Sequence, residues 1–243
     1  MKLNDCVEKY NRSGRIRKYL GFIIRKVSKS LEDLILNPKI RINERVVEYP
    51  WVFQKFENID RGSKILDIGC VSSRFPIQIA SLGYKITAYD VREYTFKHKN
   101  LTFIRKDFLK NNLPKNSINI VTCISTIEHV GLNVYKGQIS YSNHKDRRMM
   151  KEIRRVLLKN GKLLLTAPFG VSEVTKKHKI YNWSQIKELI KGFDIIEVSF
   201  SRRITSKNKD YGFWVPSNRE ELSKIRSPGL PVNGNIRLFL KKK

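Results

Sequence analysis

The first half of the chain carries a glycine and two acidic residues at spacings that suit the binding of a nucleoside. Gly69 follows the apolar segment 64–68, and a glycine there lets the backbone turn tightly and approach a ligand. Asp90 lies about 20 residues further on, a spacing at which a carboxylate accepts hydrogen bonds from both hydroxyls of a ribose. Asp107 follows the apolar segment 101–104, where a carboxylate and an amide nitrogen could bind the edge of an adenine. Each residue alone is also explained as a turn glycine or a cap, but together they predict a nucleoside pocket.

A second group of polar residues, 125–131, could carry acid–base chemistry. His129 is the best placed of the four histidines, because it follows an apolar segment and the unperturbed pKa of histidine is close to neutrality. Glu128 beside it is a second candidate. His144 is a third, since it follows the aperiodic stretch 131–143, which could form a lid over a substrate. In the alternative interpretation Glu128 and His129 only hydrogen-bond the loop and hold the start of a helix, and His144 is an ordinary surface residue.

The elements that must position these residues alternate between strand and helix. Short apolar runs predict strands at 64–68, 85–89, 101–104, 118–124, 162–167, 193–200 and 235–240. Segments with helical periodicity predict helices at 76–82, 146–158 and 184–191. This alternation indicates an α/β fold with a mainly parallel sheet covered on both faces. In such sheets ligands bind at the carboxyl ends of the strands, which is where the polar residues above are found.

These residues, in this order, resemble the motifs of the class I S-adenosylmethionine-dependent methyltransferases over roughly residues 43–241. Residues 66–70 resemble the first motif, Asp90 the acid that binds ribose, residues 106–107 the adenine loop, residues 127–130 the motif after the fourth strand, and residues 155–168 the segment that enters the fifth strand. The resemblance implies a Rossmann-like sheet of seven strands with the last strand antiparallel. It also implies S-adenosylmethionine as the cofactor and methyl transfer as the reaction.

The same resemblance assigns candidate cofactor-binding residues. They are Asp67, Gly69, Cys70, Val71, Asp90, Val91, Asp107, Phe108 and Ser125. Val71 departs from the family, which usually has a second glycine at this position. Because a β-branched residue does not readily adopt a positive φ, the loop must take a different path or leave less room beside the methionine part of the cofactor. A methyltransferase-like binding protein without activity is therefore one alternative.

The acceptor is the least determined part of the function. Residues 44–51, 81–84 and 128–131 more narrowly resemble an uncharacterised branch linked to glycan or surface-polysaccharide genes, which favours a hydroxyl of a glycan or small molecule as the acceptor. Residues 169–179 resemble a loop that often contacts the acceptor, and its basic residues would suit an acceptor with a phosphate or carboxylate. These basic residues are Lys176, Lys177, His178 and Lys179. The segment 211–231 is expected to be an insert between the last two strands that sets acceptor specificity.

The charge of the chain supports a second hypothesis, methylation of RNA. Lys and Arg number 49 against 22 Asp and Glu, which gives a net charge of +27 and favours polyanionic partners such as nucleic acid, anionic lipid or an acidic glycan. Residues 9–29 hold eight of the basic residues, no acid and a helical apolar stripe. We therefore expect residues 1–42 to be a basic amphipathic helical extension of a methyltransferase domain at 43–243. This helix could lie on RNA, on an anionic membrane or on its own domain.

Other classes of site are not indicated. Cys6, Cys70 and Cys123 lie far apart and the histidines show no ligand spacing, so neither disulfides nor a metal site are expected. No apolar run is long enough for a transmembrane helix, and no cleavable leader is recognised. We therefore expect a cytoplasmic protein, which the basic helix could bring to the inner membrane surface.

Overall fold

The computed structural model describes residues 42–71, 73–132, 144–175, 178–205, 212–227 and 232–243. The predicted amino-terminal extension, apart from Ile42, lies outside the described residues, as do Lys176 and Lys177. No helix in the described part of the chain has the length and apolar character needed to cross a lipid bilayer.

Ten strands are found in the described residues, eight of them in one sheet. In chain order they are β1 (Ile65–Ile68), β2 (Ile86–Asp90), β3 (Leu101–Arg105), β4 (Ile118–Cys123), β5 (Leu157–Pro168), β6 (Glu173–Val174), β7 (Lys179–Ile180), β8 (Phe193–Thr205), β9 (Gly212–Ser217) and β10 (Gly234–Lys242). The large sheet has the order β3-β2-β1-β4-β5-β10-β8-β9, and β6 and β7 form a separate antiparallel pair.

The direction of the strands confirms the predicted mostly parallel sheet. Strands β1 to β5 run parallel to one another, whereas β10 runs antiparallel between β5 and β8. The predicted number of seven strands was wrong, because β9 adds an eighth strand antiparallel to β8. This strand comes from the segment that was predicted to be an insert. Pro216 is tolerated within this strand because β9 lies at the edge of the sheet.

Five helices are present in the described residues. They are α1 (Arg45–Phe56), α2 (Phe75–Ser81), α3 (Lys145–Val156), α4 (Trp183–Leu189) and α5 (Arg219–Ser223). Apolar residues of α1 and α2 pack on one face of the sheet, and those of α3 and α4 pack on the other. Leu163 and Leu165 of β5 join the second of these clusters while Leu164 joins the first, as expected from the alternation of side chains along a strand.

Helix α1 is not among the helices predicted from the sequence. Pro50 lies within it and removes a backbone hydrogen-bond donor. The helix nevertheless forms, since Trp51, Val52 and Phe56 are buried against the sheet. This burial brings the first turn of α1 close to the end of β4, where Arg45 contacts the carbonyl oxygen of Ile124.

The order of the strands creates a crevice at one edge of the sheet. From β1 the chain proceeds outward to β2 and β3, and it then returns to the other side of β1 to form β4 and β5. The loops that follow β1 and β4 therefore diverge to opposite faces, and the space between them is the expected ligand site of an open α/β sheet.

Candidate active site

A cavity of about 470 Å³ lies at the carboxyl ends of β1, β2, β3 and β4. Most of the residues predicted from the sequence to bind a cofactor, and one predicted catalytic residue, line it. They are Gly69, Val71, Asp90, Val91, Asp107, Phe108, Ser125 and His129. The structure does not place Asp67, Cys70, Glu128 or His144 in the lining of this cavity. Residues that follow a parallel strand thus make up most of these lining residues.

Gly69 lies where the loop that follows β1 meets the loop that follows β4. Its φ of +85° is in the left-handed region, and its N–H donates to the carbonyl oxygen of Tyr89 at 2.8 Å. A Cβ atom at this position would overlap the side chain of Thr126. The absence of a side chain therefore allows the two loops to meet at the floor of the cavity.

Val71 fits its position without a left-handed backbone, since it is not among the described residues with positive φ. Its N–H donates to Oδ2 of Asp90 at 2.9 Å, and its carbonyl oxygen accepts from Nη2 of Arg92 at 3.2 Å. The loop after β1 is thereby tied to the end of β2, and the path it takes suits a β-branched residue.

Asp90 is buried at the end of β2 and is held mainly by Arg92. Its Oδ1 accepts from the backbone N–H of Arg92 at 2.9 Å and from Nε at 3.2 Å, and its Oδ2 lies 3.3 Å from Nη2. Arg92, which was not predicted from the sequence, also lines the cavity. Its only sequence signal is a cation two residues after the acid.

Asp107 and Phe108 occupy the position after β3. Asp107 caps a short 3₁₀ helix, Phe108–Lys110, by accepting from the backbone N–H of Leu109 at 2.9 Å. Phe108 is buried and packs edge-on against Tyr89, with the ring centroids 5.7 Å apart. One oxygen of Asp107 is thus engaged in capping, while the residue still contributes to the cavity wall.

His129 and Glu128 lie on a short 3₁₀ helix, Ile127–His129, and point to different sides of it. His129 faces the cavity, whereas Glu128 is buried, with its Oε1 3.8 Å from Nε2 of His129. Its Oε2 has no hydrogen-bond partner among the described residues, and burial raises the pKa of Glu128 well above its ordinary value. Glu128 can therefore act on a ligand only through its neighbour.

The residues predicted after the fourth and fifth strands are partly structural. His144 is the residue before α3, and the next residue, Lys145, lines the cavity in its place. The predicted acceptor contact Lys179 is instead buried, where its Nζ donates to Oδ2 of Asp146 and to the carbonyl oxygen of Val130, each at 3.0 Å. His178 is also buried. Lys179 therefore holds the loop that carries His129.

Helix α1 contributes two residues to the site that were not predicted from the sequence. Glu48 is fully buried and accepts from Oγ of Ser125 at 2.7 Å, from Nδ2 of Asn235 at 2.8 Å and from Nη1 of Arg45 at 3.1 Å. Arg45 lines the cavity. The signal available in the sequence was an acid among the aromatic residues of this segment. Since Ser125 donates to Glu48, its hydroxyl is engaged on the protein side of the cavity.

Asp67, inside β1, and Cys70, in the loop after β1, are both buried. Oδ1 of Asp67 accepts from the hydroxyl of Thr122 in β4, and burial raises the pKa of Asp67 to about 7. Cys70 is fully buried, and burial raises the pKa of its thiol as well. Both residues thus support the loop and do not line the cavity.

The raised pKa of Asp67 predicts a pH dependence of stability. The folded protein holds this proton up to about pH 7, whereas the unfolded chain loses it near pH 4, so the free energy of unfolding falls as the pH rises through this interval. Asp67→Asn should remove this contribution. We expect its melting temperature to fall less than that of the wild type between about pH 5 and about pH 8. Glu57→Gln, at an exposed acid, is the control and should melt like the wild type. Parallel curves for Asp67→Asn and the wild type would contradict the assignment.

Within the described residues, no group of three His, Cys, Asp or Glu side chains is arranged to hold a metal ion.

Comparison with solved structures of similar fold identifies the fold class of this chain. An S-adenosylmethionine-dependent methyltransferase from Methanosarcina mazei is 14% identical, with a TM-score of 0.51 over 79% of this chain and 96% of its own. A phosphoethanolamine N-methyltransferase from Haemonchus contortus is 17% identical, with a TM-score of 0.55 over 87% of this chain and 56% of its own. The [4+2]-cyclase SpnF is 16% identical, with a TM-score of 0.53 over 79% of this chain and 80% of its own. The chain thus has the fold of the class I S-adenosylmethionine-dependent methyltransferases.

The family is identified from the sequence. Residues 80–211, more than half of the chain, match the family described as Caenorhabditis protein of unknown function, DUF268, and the chain belongs to this family. No curated protein sequence matches this chain.

Proposed function

We propose that this protein is an S-adenosylmethionine-dependent methyltransferase that acts on a hydroxyl of a glycan or small molecule. The fold alone does not establish methyl transfer, since a cyclase shares it. The observation that carries the proposal is the cavity at the switch point of the sheet, which has Gly69 after β1, Asp90 at the end of β2 and Phe108 after β3. These are the positions expected for the three parts of a nucleoside cofactor.

The residues of the cavity suit this cofactor chemically. Asp90 offers a carboxylate to a ribose diol, and Gly69 lines the cavity without a side chain. The loop at Asp107 and Phe108 provides a polar backbone next to an apolar ring for a purine. When bound, S-adenosylmethionine would supply a methyl group on a positively charged sulfur.

The role of the protein in the reaction is to position the acceptor and to accept its proton. Alignment of the two reactants supplies much of the rate enhancement in a displacement of this kind. His129 is on the cavity wall, where an imidazole nitrogen can take the proton of an acceptor hydroxyl. Behind it, Glu128 and the ion pair between Lys179 and Asp146 support the loop.

The charge of the cavity favours an acceptor with an anionic group. Among the described residues that line it are four cations, Arg45, Arg92, Lys106 and Lys145, and two acids, Asp90 and Asp107. One of these acids is already paired with Arg92. A phosphate or carboxylate on the acceptor would therefore be attracted to the site.

The experiment that tests the proposal has two stages. Calorimetry should first detect binding of S-adenosylhomocysteine by the full chain. Release of S-adenosylhomocysteine from S-adenosylmethionine should then be measured with sugar phosphates, neutral glycans and RNA as acceptors. Turnover with a hydroxylated glycan or sugar phosphate supports the proposal. Turnover with RNA alone would instead favour RNA methylation, which the net charge of +27 suggests. No binding of S-adenosylhomocysteine would refute both.

Replacing His129 should slow the chemical step without affecting the cofactor. We expect His129→Gln to lower kcat by roughly 10²- to 10⁴-fold, the usual contribution of a general base. The affinity for S-adenosylhomocysteine should stay within about twofold, because glutamine preserves much of the side-chain volume. His98→Gln, between β2 and β3 and away from the cavity lining, is the matched control and should retain full activity. An unchanged kcat for His129→Gln would exclude this residue as the base.

A further inference from the structure

Half of the Arg45 guanidinium is held in place by the protein. Nη1 donates to Oε2 of Glu48 and to the carbonyl oxygen of Ile124, each at 3.1 Å. The guanidinium carbon lies 5.7 Å from the centre of the Tyr49 ring, and the Tyr49 hydroxyl donates to Ser73 in the loop after β1. Arg45 is thus fixed to α1, to the end of β4 and, through Tyr49, to the glycine loop.

Glu48 makes this arrangement rigid. It is fully buried, and its two oxygens receive donors from α1, from the loop after β4 and from β10. A buried carboxylate with several donors has few alternative positions, since leaving any donor unpaired is costly. Glu48 is therefore a positioning residue for Arg45.

The other half of the guanidinium is available to a ligand. Nε and Nη2 of Arg45 make no hydrogen bond to any described residue, the side chain is 24% exposed, and it lines the cavity. A guanidinium is planar, so fixing Nη1 also fixes the direction of its remaining donors. Such a pre-oriented edge is suited to the two oxygens of a carboxylate or phosphate.

The position of Arg45 relative to Asp90 limits what the ligand can be. Arg45 is anchored at the end of β4, and Asp90 ends β2, with β1 between these two strands. Two strand spacings correspond to roughly 10 Å. A ligand with its ribose at Asp90 would therefore need to carry its oxyanion several bonds away from the sugar, or a second ligand would carry it.

We propose that the free edge of Arg45 is an oxyanion subsite, which binds either the carboxylate in the amino-acid part of the cofactor or an acid group of the acceptor. This inference rests on the proposed function and extends it by assigning a residue of α1 to ligand binding. The two sources share one chemistry and can be separated by the choice of ligand.

The experiment compares two nucleosides and one free anion by calorimetry. S-adenosylhomocysteine carries the amino-acid carboxylate, whereas 5′-methylthioadenosine has the same nucleoside and sulfur without it. Inorganic phosphate is titrated into the free protein and into its complex with S-adenosylhomocysteine. The variant is Arg45→Met. The control is Lys55→Met. Lys55 is another cation of α1 that is paired with a carboxylate, but it lies outside the cavity lining.

If Arg45 binds the carboxylate of the cofactor, Arg45→Met should lower the affinity for S-adenosylhomocysteine by roughly 10- to 100-fold, as expected for a charged hydrogen-bonded pair. The affinity for methylthioadenosine should stay within about twofold of the wild type. If the anion belongs to the acceptor, both nucleosides should bind Arg45→Met as they bind the wild type, and phosphate binding to the complex should be lost. Lys55→Met should change none of these affinities.

Equal weakening of both nucleosides by Arg45→Met would overturn the inference, because a structural role predicts that result. Unchanged binding of all three ligands would overturn it as well. Failure of the proposed function looks different, since the wild type would then bind neither nucleoside. In that case phosphate binding to the free protein, present in the wild type and lost in Arg45→Met, still tests the subsite directly.

A double-mutant cycle tests the role of Glu48. Glu48→Gln keeps the shape of the side chain but removes the charge. It should therefore lower the affinity for the anionic ligand that binds to Arg45. Combined with Arg45→Met, it should cause no additional loss, because the two residues act as one unit. Thermal unfolding of each variant checks that the fold is retained. Additive losses would show that Glu48 does not act through Arg45.

Discussion

Asp90→Ala should abolish measurable binding of S-adenosylhomocysteine. The carboxylate offers the ribose two charged hydrogen bonds, and losing both should weaken affinity by at least roughly 100-fold. The carboxylate also accepts from the N–H of Val71 and from Arg92, so its removal also releases the loop after β1. This effect adds to the loss, because the loop forms one wall of the cavity.

Two further variants separate these causes. Asp90→Asn retains an oxygen and the size of the side chain, so it should preserve the loop better than Asp90→Ala and still weaken binding. Glu93→Gln removes one charge at an exposed position three residues away and should bind like the wild type. Calorimetry measures all three affinities. Normal affinity in Asp90→Ala would exclude Asp90 as the ribose ligand and, with it, the proposed orientation of the cofactor.

Gly69→Ala should have the second large effect, a loss of both stability and cofactor binding. The left-handed φ of +85° costs an alanine about 1–2 kcal/mol. The new Cβ would also overlap Thr126, and such overpacking costs about 1–3 kcal/mol more. Relief of the overlap must move the loop after β1 or the loop after β4, and both line the cavity. We therefore expect cofactor affinity to fall along with the melting temperature.

Gly83→Ala provides the matched control for backbone strain. Gly83 has a similar φ of +94°, but its Cβ would meet no atom closer than Nη1 of Arg61 at 3.7 Å. This variant should therefore show the destabilisation due to φ alone, about 1–2 kcal/mol, with unchanged cofactor affinity. If thermal unfolding and calorimetry give the same results for both glycine variants, the contact between Gly69 and Thr126 does not shape the site.

The predicted sites that lie outside the cavity share a geometric cause. Gly69 and Asp90 were located correctly at strand ends, but Asp67 is inside β1 and points toward Thr122 of β4. Cys70 is only one residue beyond Gly69 and is fully buried. In a strand or tight turn, the side chains of adjacent residues point in different directions. A match to a sequence motif does not specify the direction of each side chain.

Glu128 and Lys179 illustrate the same limit in different local structures. In a 3₁₀ helix of three residues per turn, successive side chains point about 120° apart, so His129 can face the cavity while Glu128 is buried. Lys179 was one of a run of basic residues that suggested an anion site. Lys179 is buried next to Asp146 because β7 packs on the loop after β4. The residues in contact there are more than 30 positions apart in the chain.

The sequence by itself determined the class of fold and the general position of the site. Alternating apolar segments specify a parallel sheet through local periodicity, and the chain leaves each strand at the edge where Gly69, Asp90, Asp107 and His129 are found. Only the tertiary structure decided which groups face a ligand. Arg45 meets the end of β4 across 79 positions of sequence, and Glu48 meets β10 across 187. The physical reason is that such contacts depend on how α1 packs on the sheet, which arises from the whole core and not from any local pattern.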